Sequence, residues 1–224
     1  MLRTRYAVCV LDGRAFERST AIDQGLVVTT IVDYGAGNIR SVQNTLDEIG
    51  ARYETTNVPA IVRAADKIIL PGVGHFGQMM RAMDELGLRQ PVIGKIREGT
   101  PFLGICIGLQ CLFEASEESP GSEGLGIFPG VVKRFVGDVR IPHMGWNSLT
   151  RTKESRLLSG LDNEPFTYFA HSFYAPLVDA TAAACTYINP YSAVLEQNNV
   201  HAVQFHPEKS GPIGLRVMKN FIEL

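Results

Sequence analysis

Little in this sequence suggests a membrane, a metal site or a disulfide framework. Its most apolar stretch, around residues 101–113, is interrupted by glycines and falls well short of the roughly 20 residues that cross a bilayer. The four cysteines, Cys9, Cys106, Cys111 and Cys185, form no C-x-x-C pair and no metal-finger spacing. So few cysteines in 224 residues do not make a disulfide scaffold. They are read as free thiols in a reducing compartment, with the cytoplasm as the expected location. A long basic run is also missing. Twenty-one Lys and Arg stand against 23 Asp and Glu, for a formal charge of −2, which makes nucleic acid or an anionic membrane a poor expectation for the partner. Arg3 and Arg5 precede an apolar run that ends at Asp12, so no signal peptide is expected. Internal repeats and low-complexity tracts are absent.

What is present fits one soluble globular core. Hydrophobic residues make up 45% and charged residues 20%, and the length suits one sizeable domain better than two. Residues 1–27 mix charged and small residues without a sustained period, and are expected to be an appendage outside the core, partly disordered. Residues 28–224 are expected to form the domain.

From Val27 the chain alternates as βα units do. An apolar, β-branched run at 27–34 ends in a Gly-rich turn, and Ile39, Val42, Leu46 and Ile49 then step by three and four along one helical stripe that Gly50 closes. Strands are predicted at 51–56, 67–70 and 101–105, with helices near 60–65, at 91–98 and at about 106–115. A further helix carries Phe76, Met79, Met80 and Met83 on one face. After Ser119 short strands replace helices, at 131–136, 146–151, 166–174, 182–188, 192–196 and 200–205, with Asn198-Asn199 suited to a hairpin turn. A last helix at 212–223 has Ser210 near its start as a cap. The expected fold is α/β: a mostly parallel open sheet flanked by helices, with antiparallel strands added at its edge.

In such sheets the chemistry gathers at the carboxyl ends of the strands, where the segments 71–76, 104–110 and 206–210 all fall. GICIGLQ places Cys106 between a strand end and a helix start with glycines at 104 and 108, the G-x-nucleophile-x-G elbow with Cys in place of Ser. The helix start supplies partial positive charge and unpaired N–H groups, favouring thiolate and an oxyanion. A buried core cysteine is the competing reading; the flanking glycines favour the nucleophile. Gln110 lies one turn on, facing the same way, and its amide is placed to reach a substrate. Cys111 is turned away and packs.

In HPEKS, His206 stands at the end of a strand, where a base for that thiol belongs. Glu208, two residues on, points the same way in extended chain and can hold the imidazole tautomer. A surface His-Pro turn with a solvated Glu is the plainer reading. PGVG at 71–74 is either a simple loop or a device that aims the Val73 N–H at a substrate oxygen.

These motifs resemble those of the class I (triad) glutamine amidotransferases. GICIGLQ and HPEKS are shared by many of them. DYGAGN at 33–38, PGVGHF at 71–76, PHMGWN at 142–147 and YFAHSFY at 168–174 are similar to the histidine-pathway branch, the glutaminase subunits of imidazole glycerol phosphate synthase. The resemblance runs from about residue 28 to 224. It implies a flavodoxin-like three-layer fold, no cofactor and no metal, with Cys106, His206 and Glu208 as a catalytic triad hydrolysing glutamine. It further implies that the N–H groups of Val73 and Ile107 form the oxyanion hole, and that Gly74, Gln110, His171 and Ser172 position glutamine. Asn38, Met144, Trp146 and Lys209 would face a cyclase partner, a (β/α)₈ barrel, in a heterodimer. That partner would use the ammonia to make imidazole glycerol phosphate and aminoimidazole carboxamide ribotide.

Packing roles for Trp146 and His171 are the plainer alternatives. Ile107, Leu109, Ala170 and Phe173 depart from residues more frequent in the branch, and residues 1–27 have no usual counterpart. Two other readings stand beside this one: a glutaminase of another pathway or a γ-glutamyl hydrolase on the same scaffold, and a non-catalytic module. PHMGWN and DYGAGN speak against the first, and the intact nucleophile and base against the second.

Overall fold

In the computed structural model of the chain, residues 8–11 and 14–17 are described by their backbone, and residues 27–224 in full. The expected appendage over 1–27 therefore lies for the most part outside the described residues. Within it, β1 (Val8–Leu11) and β2 (Arg14–Glu17) pair antiparallel in a sheet of their own.

The βα units of the first half are in place. They comprise β3 (Thr29–Val32), α1 (Ile39–Glu48), β4 (Tyr53–Thr56), α2 (Pro59–Arg63), β5 (Lys67–Gly72), α3 (Phe76–Glu85), α4 (Arg89–Arg97) and β6 (Phe102–Cys106). Strands covered on both faces read as continuous apolar runs, and every residue of β5 and β6 is buried. The α1 stripe packs Val42 and Leu46 inward, and Gly50, at φ +69°, ends that helix in a Schellman turn. The Ala51 N–H donates to Leu46 O at 2.9 Å and the Gly50 N–H to Asp47 O at 3.1 Å. Phe76, Met79, Met80 and Met83 are buried along α3, as their spacing predicts.

The helix expected over 106–115 is a single turn, α5 (Ile107–Gln110), followed by β7 (Phe113–Ser116). Returning chain occupies the carbonyls a longer helix would need: the Leu125 N–H bonds Cys111 O at 2.7 Å, and the Ile127 and Phe128 N–H groups bond Leu112 O at 2.8 and 2.9 Å. Leu112 and Phe113 are fully buried, so this stretch has no solvent face to give a helix.

The second half supplies β8 (Phe128–Arg134), β9 (His143–Ser148), β10 (Thr150–Arg151), β11 (Phe166–His171), β12 (Phe173–Tyr174), β13 (Thr181–Thr186), β14 (Pro190–Gln197) and β15 (Val200–Val203). The final helix is α6 (Gly211–Ile222). The main sheet has eight strands in the order β10-β13-β14-β15-β6-β5-β3-β4. From β15 to β4 neighbours run parallel, while β10, β13 and β14 add antiparallel strands, as expected. β14 and β15 form a hairpin with Gln197 opposite Val200, and Asn198 takes φ +54° in its two-residue turn. The remaining strands leave the main sheet: β9 pairs with β11, and β12, β8 and β7 form a three-stranded sheet in that order. Among the described residues no helix is long and apolar enough to cross a membrane.

For the site, the order β15-β6-β5 matters most. Three adjacent parallel strands end side by side, with Val203 opposite Ile105 and Gly72 opposite Cys106, so the loops after them share one rim.

Candidate active site

Cys106 ends β6 with φ +56° and ψ −108°, a left-handed backbone that an L residue adopts only when its surroundings impose it. The glycines around it impose it by close packing. A Cβ on Gly104 would lie 2.2 Å from Gly108 O, one on Gly108 would lie 2.0 Å from Leu70 O, and one on Gly72 would lie 2.7 Å from Gly108 N. Strand, turn and first helical turn therefore pack backbone against backbone, and the thiol is thrust to the rim. Since α5 is a single turn, its contribution is local N–H groups rather than the dipole of a long helix.

His206 follows β15 and lines the same cavity of about 230 Å³ as Cys106, Val73, Gly74 and Ile107. Its Nδ1 lies 2.8 Å from Glu208 Oε1. Burial alone would lower its pKa. The charge of the facing Cys106 sulfur, a hydrogen bond to that sulfur, and the bond and charge of Glu208 overcome burial and raise it to about 10. The ring is thus held in its charged form between the Cys106 sulfur and the Glu208 carboxylate. The side chains of Glu208 and His206 are both buried, and among the described residues Glu208 Oε2 has no hydrogen-bond partner, so the carboxylate faces the histidine alone.

Ser210 stands at the start of α6, as the sequence suggests, but its side chain does not cap that helix. The hydroxyl donates to His206 O at 2.7 Å and accepts the Tyr168 N–H at 3.0 Å, while the His206 N–H donates to Tyr168 O at 2.9 Å. These bonds fasten the base-bearing loop to β11.

Gln110 lines the cavity, and its amide nitrogen is engaged by protein. Its Nε2 donates to Phe173 O at 2.8 Å and to Gln204 Oε1 at 3.0 Å, leaving only Oε1 for a ligand. His171 also lines the cavity. Its Nδ1 lies 2.8 Å from Phe173 O and is therefore the protonated nitrogen, while Nε2 faces Tyr191 Oη at 3.2 Å and His143 Nδ1 at 3.3 Å. Burial, partly opposed by the Phe173 carbonyl, lowers its pKa to about 3, and burial lowers that of His143 to about 4. His171 is a neutral wall whose ring nitrogens are both engaged by protein. Ser172 and Gly74 also line the cavity.

Sequence reading missed two residues here. Glu118 lines the cavity and its Oε2 accepts the Phe76 N–H at 2.7 Å; in the sequence it is one of several acidic residues in a polar run, with nothing to single it out. Gln204 is fully buried and lies 3.7 Å from Cys106 Sγ; its position two residues before His206, facing the same way in extended chain, was the available signal.

On the outer face of the β9–β11 ribbon, Met144 and Trp146 are each 55% exposed. Trp146 meets Tyr168 edge-on at 6.1 Å, and Lys209 Nζ lies 5.8 Å over the same Tyr168 ring. Lys209 also lines the cavity, which joins this face to the site. Asn38 is at the start of α1, beyond the carboxyl end of β3, where its Oδ1 accepts the Ser41 hydroxyl at 2.8 Å.

The family profile described as glutamine amidotransferase class-I matches residues 30–224. Among curated proteins, the chain is 49% identical over 195 residues to the imidazole glycerol phosphate synthase subunit HisH of Methanothermobacter thermautotrophicus, covering 87% of this chain and 97% of that protein. It is 45% identical over 200 residues to the subunit of the same name from Thermococcus kodakarensis, covering 87% and 98%. It is 41% identical over 201 residues to the chloroplastic imidazole glycerol phosphate synthase hisHF of Arabidopsis thaliana, covering 87% of this chain and 34% of that longer one. A crystal structure of a glutamine amidotransferase superposes with TM-score 0.69 at 20% identity, covering 87% of this chain and 97% of the other, a likeness of fold.

Proposed function

Because the chain belongs to the class I glutamine amidotransferases, we propose that it is the glutaminase subunit of an imidazole glycerol phosphate synthase, supplying ammonia for histidine biosynthesis. The observation that carries this reading is the strained Cys106 elbow facing a histidine whose pKa is raised to about 10 in one cavity. A thiolate paired with imidazolium is ready to attack without an activation step.

Cys106 attacks the side-chain amide carbon of glutamine. We assign the resulting oxyanion to the N–H groups of Val73 and Ile107, two residues that line the cavity. His206 gives its proton to the departing nitrogen, releasing ammonia and leaving a glutamyl thioester. It then takes a proton from water, whose oxygen attacks the thioester; glutamate leaves and the sulfur anion returns. Glu208 holds the ring through both steps. Glutamine's amino group, a cation, finds acceptors in the Glu118 carboxylate and Gln110 Oε1, while Gly74, Ser172 and the His171 wall shape its seat.

Ammonia released into neutral water is largely protonated and no longer nucleophilic, so a direct hand-over to a partner is required. We assign that partner as a cyclase subunit of (β/α)₈ form, docked in a heterodimer on the face that carries Met144, Trp146, Lys209 and Asn38. It would make imidazole glycerol phosphate and aminoimidazole carboxamide ribotide. The exposed apolar ribbon beside the cavity supports this, as does the Arabidopsis relative, in which the matched segment is about a third of a longer synthase chain. A catalytic thiolate needs reducing surroundings, and we place the enzyme in the cytoplasm.

The test is a paired assay of the complex. Cys106→Ala should abolish product formation from glutamine and retain it from ammonium salts. Glutamine use by that variant would overturn the nucleophile assignment, and a wild-type glutaminase rate unchanged by the cyclase would overturn the partnership.

A further inference from the structure

Two side-chain amides are buried beneath the nucleophile, and their orientation follows from one carbonyl. Phe173 O accepts from His171 Nδ1 and from Gln110 Nε2, each at 2.8 Å. A carbonyl oxygen only accepts, so Gln110 must turn its NH₂ toward it. The second N–H of that NH₂ meets Gln204 Oε1 at 3.0 Å. Gln204 is thereby fixed with its own NH₂ toward Cys106 Sγ, 3.7 Å away, a separation suited to a large sulfur acceptor. Its backbone is equally held, the Gln204 N–H donating to Ala193 O at 2.9 Å. Burying an amide is costly unless each polar end finds a partner, and for this NH₂ the partner is the sulfur.

We propose that Gln204 is a further catalytic residue of the glutaminase reaction, its side-chain N–H stabilising the Cys106 sulfur anion, with Gln110 and the Phe173 carbonyl positioning that donor. The proposal rests on Cys106 being the nucleophile. His206 can balance the sulfur only while it carries its proton. Having passed that proton to ammonia it is neutral until the attacking water returns one, and the sulfur then leaves the thioester as an anion for the second time. Gln204 carries a donor that does not titrate, so it serves this second departure as well as the resting state. The same short segment thus brings both the base and a constant donor to one atom.

The experiment uses the full chain with its cyclase partner and two readouts. One is the pH dependence of Cys106 alkylation by iodoacetamide, followed by mass spectrometry of the Cys106 peptide, with buried Cys111 and Cys185 as silent internal controls. The other is kcat and KM for glutamine. Gln204→Met keeps the reach and loses the donor. Its alkylation profile should move up by about one pH unit, and kcat should fall about tenfold with KM within about twofold. Gln204→Glu should move the profile further in the same direction. Gln110→Met, which frees the Gln204 amide to rotate, should give a smaller shift of the same sign, and serves alone if the Gln204 variants do not fold. Profiles that superimpose on wild type in the folded variants would overturn the proposal. Retained glutaminase activity in Cys106→Ala would instead sink the nucleophile reading on which it stands, so the two failures are separable.

Discussion

His201 and His206 lie on one short stretch of chain, both buried and both beside a glutamate, and they hold protons in opposite ways. His201 lies within β15, its Nε2 3.8 Å from Glu196 Oε1 and 3.5 Å from Arg156 Nη2. Burial lowers its pKa; Glu196 pulls upward, but Arg156 pushes back. Glu196 is already engaged by the Ser155 hydroxyl at 2.6 Å, the Arg156 N–H at 3.1 Å and Arg156 Nε at 3.3 Å. At the rim, Glu208 bonds His206 alone among the described residues, and a sulfur faces the ring from the other side. A carboxylate beside a histidine does not make a base. What decides is whether its charge is already claimed, and what sits opposite.

The largest expected contrast is between the two alanine variants. His206→Ala should lower glutamine hydrolysis by about 10³-fold. His201→Ala should leave hydrolysis within about twofold and lower stability by about 1–3 kcal/mol, through the Arg156–Glu196 cluster and the space left against Phe221. Loss of activity from the second would erase the distinction.

Removing the carboxylate charges comes next. Glu208→Gln should cost about 10²-fold or more in kcat, since the imidazolium loses its support. Glu196→Gln should instead cost about 1–2 kcal/mol of stability, read by denaturant unfolding, and leave kcat intact.

Much of the rim is legible in the sequence. The elbow announces itself because glycines at 104 and 108 have few other reasons to bracket a cysteine, and the helix stripes of α1 and α3 follow from spacing alone. The failures share one cause: the deciding partner is remote in sequence. The helix after Cys106 stops because chain from 125–128 takes its carbonyls. Ser210 serves His206 and Tyr168 rather than its own helix. Gln204 and Glu118 gain meaning only once β6, β15 and the loop at 116–119 are assembled. No local pattern encodes those meetings.

A subtler contrast is in pH. His143 and His171 have pKa values lowered by burial to about 4 and about 3, against an ordinary 6.5. Between those values the unfolded chain binds protons that the folded one refuses, so their contribution to stability is complete above about 6.5 and drains away as pH falls through about 4 and then 3. His206 has the opposite sign: its contribution is complete below about 6.5 and is lost as pH rises through about 10. Denaturant unfolding across pH should therefore show a His143→Gln variant with a shallower acid limb and an unaltered alkaline one. A change on the alkaline side would mean that the two sets are coupled.

The smallest effect belongs to the hairpin beside His201. Asn198→Ala should lower stability by about 1 kcal/mol, because alanine tolerates the left-handed turn poorly, and should not alter glutamine hydrolysis.

The column of Gly72, Gly104 and Gly108 has a consequence for anyone wishing to reprogramme this scaffold. Each α-carbon in it touches another stretch of main chain with no room for a methyl group. The address of the reactive side chain is thus set by volume, and it is single: a library aimed at new acyl-transfer chemistry can vary the residue at 106 and the cavity walls, but must hold those three codons constant.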